Sequence, residues 1–116
     1  MRTVLAVLSL LLFMPALVRA HAMLDHATPL VGSTVPSAPH EVSLTFTQNL
    51  EAAFSTIEVT DGNGARVDQG KTQVSGNTMR IGVKALQPGS YKVHWHALSV
   101  DTHTTQGTFG FQVGGH

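Results

Sequence analysis

The sequence predicts an all-β fold, a sandwich or Greek-key barrel, and three observations carry that reading. Apolar residues recur with period two over several short runs, turn residues separate those runs, and no segment after residue 20 sustains a 3.6-residue apolar period. Successive side chains of a strand point to opposite faces, so each alternating run defines one face that seeks a core.

The elements follow in order. Residues 32–39 contain Pro36 and Pro39 and read as an irregular loop entering the first clear strand. There Val42, Leu44 and Phe46 alternate with Ser43 and Thr45. Ile57 and Val59 then flank Glu58, and Asp61-Gly62-Asn63-Gly64 is a strong turn signal. Ser75-Gly76-Asn77 marks a further turn before Met79, Ile81 and Val83, which alternate with Arg80 and Gly82. After Pro88-Gly89, the residues Tyr91, Val93, Trp95 and Ala97 share one side, with Lys92, His94 and His96 on the other. Phe109, Phe111 and Val113 close the series, and Gly114-Gly115-His116 reads as a frayed end. Twelve threonines after residue 20 suit a pleated, half-exposed surface. Trp95 is expected to anchor the core, and Glu51, Glu58 and Asp68 to be surface charges.

Residues 1–20 differ from the rest. Fifteen of them are apolar, and their only charges are Arg2 and Arg19. A positive start, an apolar run over residues 4–13 broken only by Ser9, a helix-breaking Pro15 and Val18-Arg19-Ala20 together form an export signal cleaved after Ala20. The apolar run is shorter than the ~20 residues that span a bilayer. Export from a prokaryotic cell would place residues 21–116, a single domain, in the periplasm or beyond.

That remainder has five Lys/Arg against seven Asp/Glu, all seven histidines and no cysteine. With no basic excess to neutralise phosphates, nucleic-acid binding is not expected. Without cysteine there is no disulfide, no thiolate metal site and no thiol nucleophile. No second apolar stretch is long enough to cross a membrane.

Cleavage after Ala20 would give His21 a free α-amine beside its imidazole. The amine and Nδ1 can chelate one ion in a six-membered ring. The reference pKa of an α-amine is about 7.7–8.0, so the ion displaces a proton and acid weakens the site. A second feature is Asp101-Thr102-His103. In an extended segment residues i and i+2 share a face, so carboxylate and imidazole are expected to project together. Three nitrogens and one oxygen without sulfur suit Cu(II) and suit Cu(I) poorly; nickel and zinc fit the same donors with less affinity. Spacing alone does not bring residues 21 and 103 together, and an isolated D-x-H is most simply a solvated turn.

Tyr91-Lys92-Val93-His94-Trp95-His96-Ala97-Leu98-Ser99-Val100-Asp101-Thr102-His103, followed by Gly107 and Phe109, resembles the signature of the CopC family of periplasmic copper-binding proteins. The likeness extends to His21, Thr28-Pro29, Gly32, Leu44-Thr45-Phe46-Thr47-Gln48-Asn49-Leu50 and Phe54-Ser55. It covers residues 21–113. The resemblance implies a cupredoxin-like or immunoglobulin-like Greek-key sandwich. It also implies one Cu(II) per chain, held by the amine and imidazole of His21 with Asp101 and His103, in copper resistance or homeostasis. An inner-membrane CopD-type transporter is the partner it implies. Two departures stand out. Gln48 occupies a position where some members carry a glutamate near copper, and a neutral amide cannot supply that charge. The region of residues 61–77, where some members have a methionine-rich Cu(I) loop, holds no methionine. The resemblance is therefore to a Cu(II)-only member.

Other residues have plainer readings. Met23 is expected to pack at a strand start, with axial thioether ligation as the alternative. His94 and His96 read as an exposed strand face that lacks a third partner nearby. His26 and His40 read as loop residues, His26 near the site. His116 follows two glycines whose amine is not free. Ser43, Ser55 and Ser99 sit in no nucleophile-elbow pattern and read as strand or turn residues. Two other functions are compatible with these residues. A copper-dependent oxidative enzyme also uses an N-terminal histidine chelate, although a carboxylate in the plane fills the position oxygen needs. A metal-free structural sandwich is the third.

Overall fold

The computed structural model describes residues 22–115, so the segment read as an export signal, His21 and His116 lie outside the described residues. Among the described residues eight strands form: β1 (Leu24–Thr28), β2 (Thr34–Val35), β3 (Glu41–Phe46), β4 (Thr56–Asp61), β5 (Asp68–Ser75), β6 (Thr78–Val83), β7 (Gly89–Leu98) and β8 (Thr104–Val113). A short 3-10 turn, Ala52–Phe54, precedes β4. One sheet has the order β1-β3-β6-β5 and the other β2-β8-β7-β4. Only β5–β6 and β7–β8 are hairpins within a sheet; the other connections cross between sheets, which is what makes this a sandwich of the Greek-key kind. Among the described residues, no helix is long and apolar enough to cross a membrane.

The alternating runs behave as their pattern dictates. Val42, Leu44 and Phe46 of β3, Ile57 and Val59 of β4, and Met79, Ile81 and Val83 of β6 are buried. So are Tyr91, Val93, Trp95 and Ala97 of β7, and Phe109, Phe111 and Val113 of β8. Facing side chains of the two sheets close one core, in which Trp95 meets Phe46 edge-on with ring centroids 5.0 Å apart.

Gly107 lies opposite Trp95 on β8, and the indole covers it. A Cβ at this position would stand 2.7 Å from Trp95 Cζ2, well inside contact distance. Gly107→Ala is therefore expected to lower unfolding stability by about 1–3 kcal/mol, the usual cost of overpacking a filled core. A urea unfolding midpoint unchanged from the parent would refute this packing account.

Three strands escape an alternation argument. In β1 only Ala27 is buried, and a register shift falls between Leu24 and His26. β2 is two residues long and pairs parallel with β8, inside the stretch whose prolines read as loop. β5 is a polar edge strand with no buried residue; its register slips between Gln69 and Gln73, around Gly70.

Asp68 corrects the expectation of a surface charge. Its side chain is only 6% exposed, and its Oδ1 accepts hydrogen bonds from the Val59 amide at 3.0 Å and Arg66 Nε at 2.7 Å. Thr72 Oγ1 likewise accepts the Ile57 amide at 3.0 Å, so side chains of β5 cap the open edge of β4. The Arg66 hydrogen bond, opposed by burial and aided by the Val59 amide, holds the Asp68 carboxyl below its ordinary value. A depressed folded pKa stabilises above the unfolded value of about 3.9, and that contribution is lost as pH falls through the folded value. Asp68→Asn keeps an acceptor for Val59 but loses the charge. Its stability deficit in denaturant titrations should be full at neutral pH and shrink as pH drops below about 4. A deficit independent of pH would overturn the role given to the charge.

Candidate metal centre

β7 runs into β8 through a tight turn over residues 99–103, at one end of the sandwich. The Thr102 amide donates to the Ser99 carbonyl at 2.8 Å, and the Ser99 amide to the His103 carbonyl at 3.0 Å. Three residues thus close the hairpin, with the third in left-handed backbone: Thr102 has φ of +72°. A β-branched residue rarely adopts that conformation. The threonine hydroxyl hydrogen-bonds to the Asp101 carbonyl.

This geometry corrects the reason, though not the outcome, given for Asp101 and His103. They meet because the chain turns between them, not because the segment is extended. His103 Nδ1 stands 3.4 Å from Asp101 Oδ1. Ligand atoms each about 2.0–2.1 Å from one ion are themselves roughly 3 Å apart, so the pair is spaced to share an ion. Both side chains are exposed.

Ser99 is the residue whose role at this turn the sequence did not disclose. It is wholly buried, and its hydroxyl donates to Asp101 Oδ1 while lying 3.2 Å from the His103 carbonyl. That hydrogen bond is the main reason the Asp101 carboxyl sits below its ordinary value; partial desolvation opposes it, and the His103 ring adds to it. The available signal was the serine two residues before the aspartate, which has no meaning until the turn is seen.

The start of the described chain comes to the same end. Ala22 is completely buried, and its carbonyl accepts a hydrogen bond from Thr105 Oγ1 at 3.0 Å. Met23 pairs with Thr47: its amide donates to Thr47 Oγ1 at 2.9 Å, and its carbonyl accepts the Thr47 amide at 2.9 Å. The Asn49 carbonyl in turn accepts the Val100 amide at 3.0 Å. Residues 22–23, 47–49 and 99–105 therefore form one corner, and half-buried Gln48 lies on its middle strand of chain.

Other expectations fall as follows. The Met23 side chain does not pack; it is 58% exposed. His26 lies on β1 rather than in a loop, and its Nδ1 pairs with Asp25 Oδ2 at 3.1 Å. His94 is exposed on the outer face of its sheet, and His96 is partly so. Among the described residues no three His, Asp or Glu side chains gather as a ready metal site. Asp101 and His103 are two groups able to donate to an ion, and His21 lies outside the described residues.

Comparison with known proteins gives a consistent result. Among curated relatives, copper resistance protein C of Pseudomonas syringae pv. tomato is 36% identical over 84% of this chain and 84% of its own. Protein YobA of Escherichia coli K12 is 32% identical over 97% of this chain and 94% of its own. Copper transport protein CutJ of Bacillus subtilis is 33% identical, and the chain spans only 20% of that longer protein. Among solved structures, CopC from Methylosinus trichosporium OB3b superposes with a TM-score of 0.78 at 29% identity, over 83% of this chain and 96% of that one. PcoC, a methionine-rich copper resistance protein from Escherichia coli, gives 0.72 at 31%, over 81% and 99%. The CopC domain profile matches residues 24–114, nearly the whole described chain, and the protein belongs to the CopC family.

Proposed function

We propose that this protein is an exported Cu(II) carrier or buffer of the periplasm, acting in copper homeostasis or resistance. Residues 1–20 are its export signal, removed after Ala20, and residues 21–116 are the mature domain. One Cu(II) per chain is held by the amine and imidazole of His21, with Asp101 and His103. The observation that carries this reading is the corner just described. Ala22 is tied to Thr105, two residues beyond His103, and His21 is the residue that precedes Ala22 in the sequence. The Asp101 carboxylate offsets part of the dication's charge, and neutral nitrogen donors with oxygen suit Cu(II).

Membership of a family whose named relatives are copper resistance and transport proteins makes this a binding protein and not an enzyme. Delivery to an inner-membrane transporter of the CopD type fits a carrier that holds its ion at an exposed end. Isothermal titration of the mature chain with Cu(II) tests the reading: one tight equivalent is expected, and a flat titration would sink it. Intact mass of the exported protein should correspond to a chain beginning at His21.

A further inference from the structure

The turn that carries Asp101 and His103 hangs on one buried residue. Ser99 is wholly buried, and each of its polar groups is committed to that turn. Its amide donates to the His103 carbonyl at 3.0 Å, and its carbonyl accepts the Thr102 amide at 2.8 Å. Its hydroxyl has a single hydrogen. The His103 carbonyl lies 3.2 Å away, and the Asp101 carboxylate is the closer and stronger acceptor.

Ser99 is itself fixed from behind. It is bridged to buried Leu50. On either side of that bridge the Glu51 amide donates to the Leu98 carbonyl at 2.8 Å, and the Val100 amide to the Asn49 carbonyl at 3.0 Å. Asp101, by contrast, is exposed. A carboxylate on two rotatable bonds samples several orientations in water unless a neighbour holds it. The oxygen that Ser99 holds is the one His103 faces, with Nδ1 3.4 Å from Oδ1. A carboxylate oxygen has two lone pairs, so the serine hydrogen takes one and leaves one for an ion.

We infer that Ser99 is a positioning residue of the copper centre, holding Oδ1 of Asp101 at the spacing from His103 that a shared ion requires. The inference rests on the ligand set proposed above, because Ser99 acts through Asp101 and is not itself a ligand. Ligating carboxylates are steadied by outer hydrogen-bond partners, and loss of such a partner costs about 10–100-fold in affinity. With Ser99 in place the carboxylate is already ordered before the ion arrives; without it, that ordering falls on the binding step.

Competition titration of the mature chain with Cu(II) against a copper chelator tests this. Ser99→Ala should weaken binding by about 10–100-fold. Ser99→Gly, which likewise keeps both backbone hydrogen bonds, should do the same. The effect should pass through Asp101, so adding Ser99→Ala to Asp101→Ala should weaken binding no further. Electron paramagnetic resonance of the Ser99→Ala copper form should keep its nitrogen couplings while its parallel g value shifts, because only the oxygen donor is disturbed. Ser55→Ala is the control for losing a buried hydroxyl: Ser55 Oγ accepts the Leu98 amide at 3.1 Å, so its loss should lower stability and leave copper affinity unchanged. Parent affinity in Ser99→Ala beside weakened Asp101→Ala, losses that add in the double variant, or an equal fall in Ser55→Ala would each overturn the positioning role alone. Parent affinity in Asp101→Ala would refute the proposed ligand set, and this inference with it.

Discussion

A chain that keeps one extra residue before His21 is expected to bind Cu(II) about 10²–10⁴-fold more weakly than the chain that begins there, on the scale by which joining two binding groups raises affinity. The amine and Nδ1 of an N-terminal histidine belong to one residue, so binding the first donor delivers the second at high effective concentration. An added residue turns the amine into an amide and moves the free amine away, while leaving every contact of Ala22 and Met23 possible. The fold should therefore be unchanged, and the difference should appear in competition titrations against a copper chelator. Equal affinities for the two forms would refute the chelate. Acid should release the ion from the native form. The Ser99 hydrogen bond holds the Asp101 carboxyl below its ordinary value, so the amine and imidazole are the groups expected to govern that release.

His103→Ala has the second large effect. Losing a ligand should cost at least what loss of an outer-shell partner costs, so affinity for Cu(II) should fall by about 100-fold or more. The imidazole is exposed, and the turn is closed by the His103 carbonyl and the Thr102 amide, which alanine leaves in place. Stability measured by thermal unfolding should hardly change, which separates a lost ligand from a lost fold. His94→Ala in the same assay should leave the affinity as it was. Unaltered tight binding in His103→Ala would exclude that residue from the set. Electron paramagnetic resonance of the copper form should show a tetragonal signal with nitrogen couplings that lose intensity in the variant.

Particular residues show why parts of the molecule were legible in the chain. Leu44, Ile81, Val93 and Phe111 each sit in a run of alternating apolar residues, and burial of one strand face leaves no other way to read them. β5 carries no such signal. It is an edge strand whose side chains mostly meet water, and its work, capping β4 through Asp68 and Thr72, depends on a neighbour distant in sequence. Asp68 was read as a solvated charge for the same reason. Asp101 and His103 were singled out by their spacing, but the argument from an extended strand was mistaken: Thr102 in left-handed backbone turns the chain between them.

Sequence alone determined the all-β class, the faces of the five alternating strands and the family, and it singled out the residues proposed for the metal centre. Those follow from local periodicity and from a motif contiguous in the chain. Tertiary structure decided which distant pieces share a corner: Thr105 holding Ala22, Thr47 holding Met23, and Asn49 holding Val100. The physical reason is that these contacts arise from strand register and from connections that cross between sheets. Each joins residues whose separation along the chain gives no hint of their separation in space.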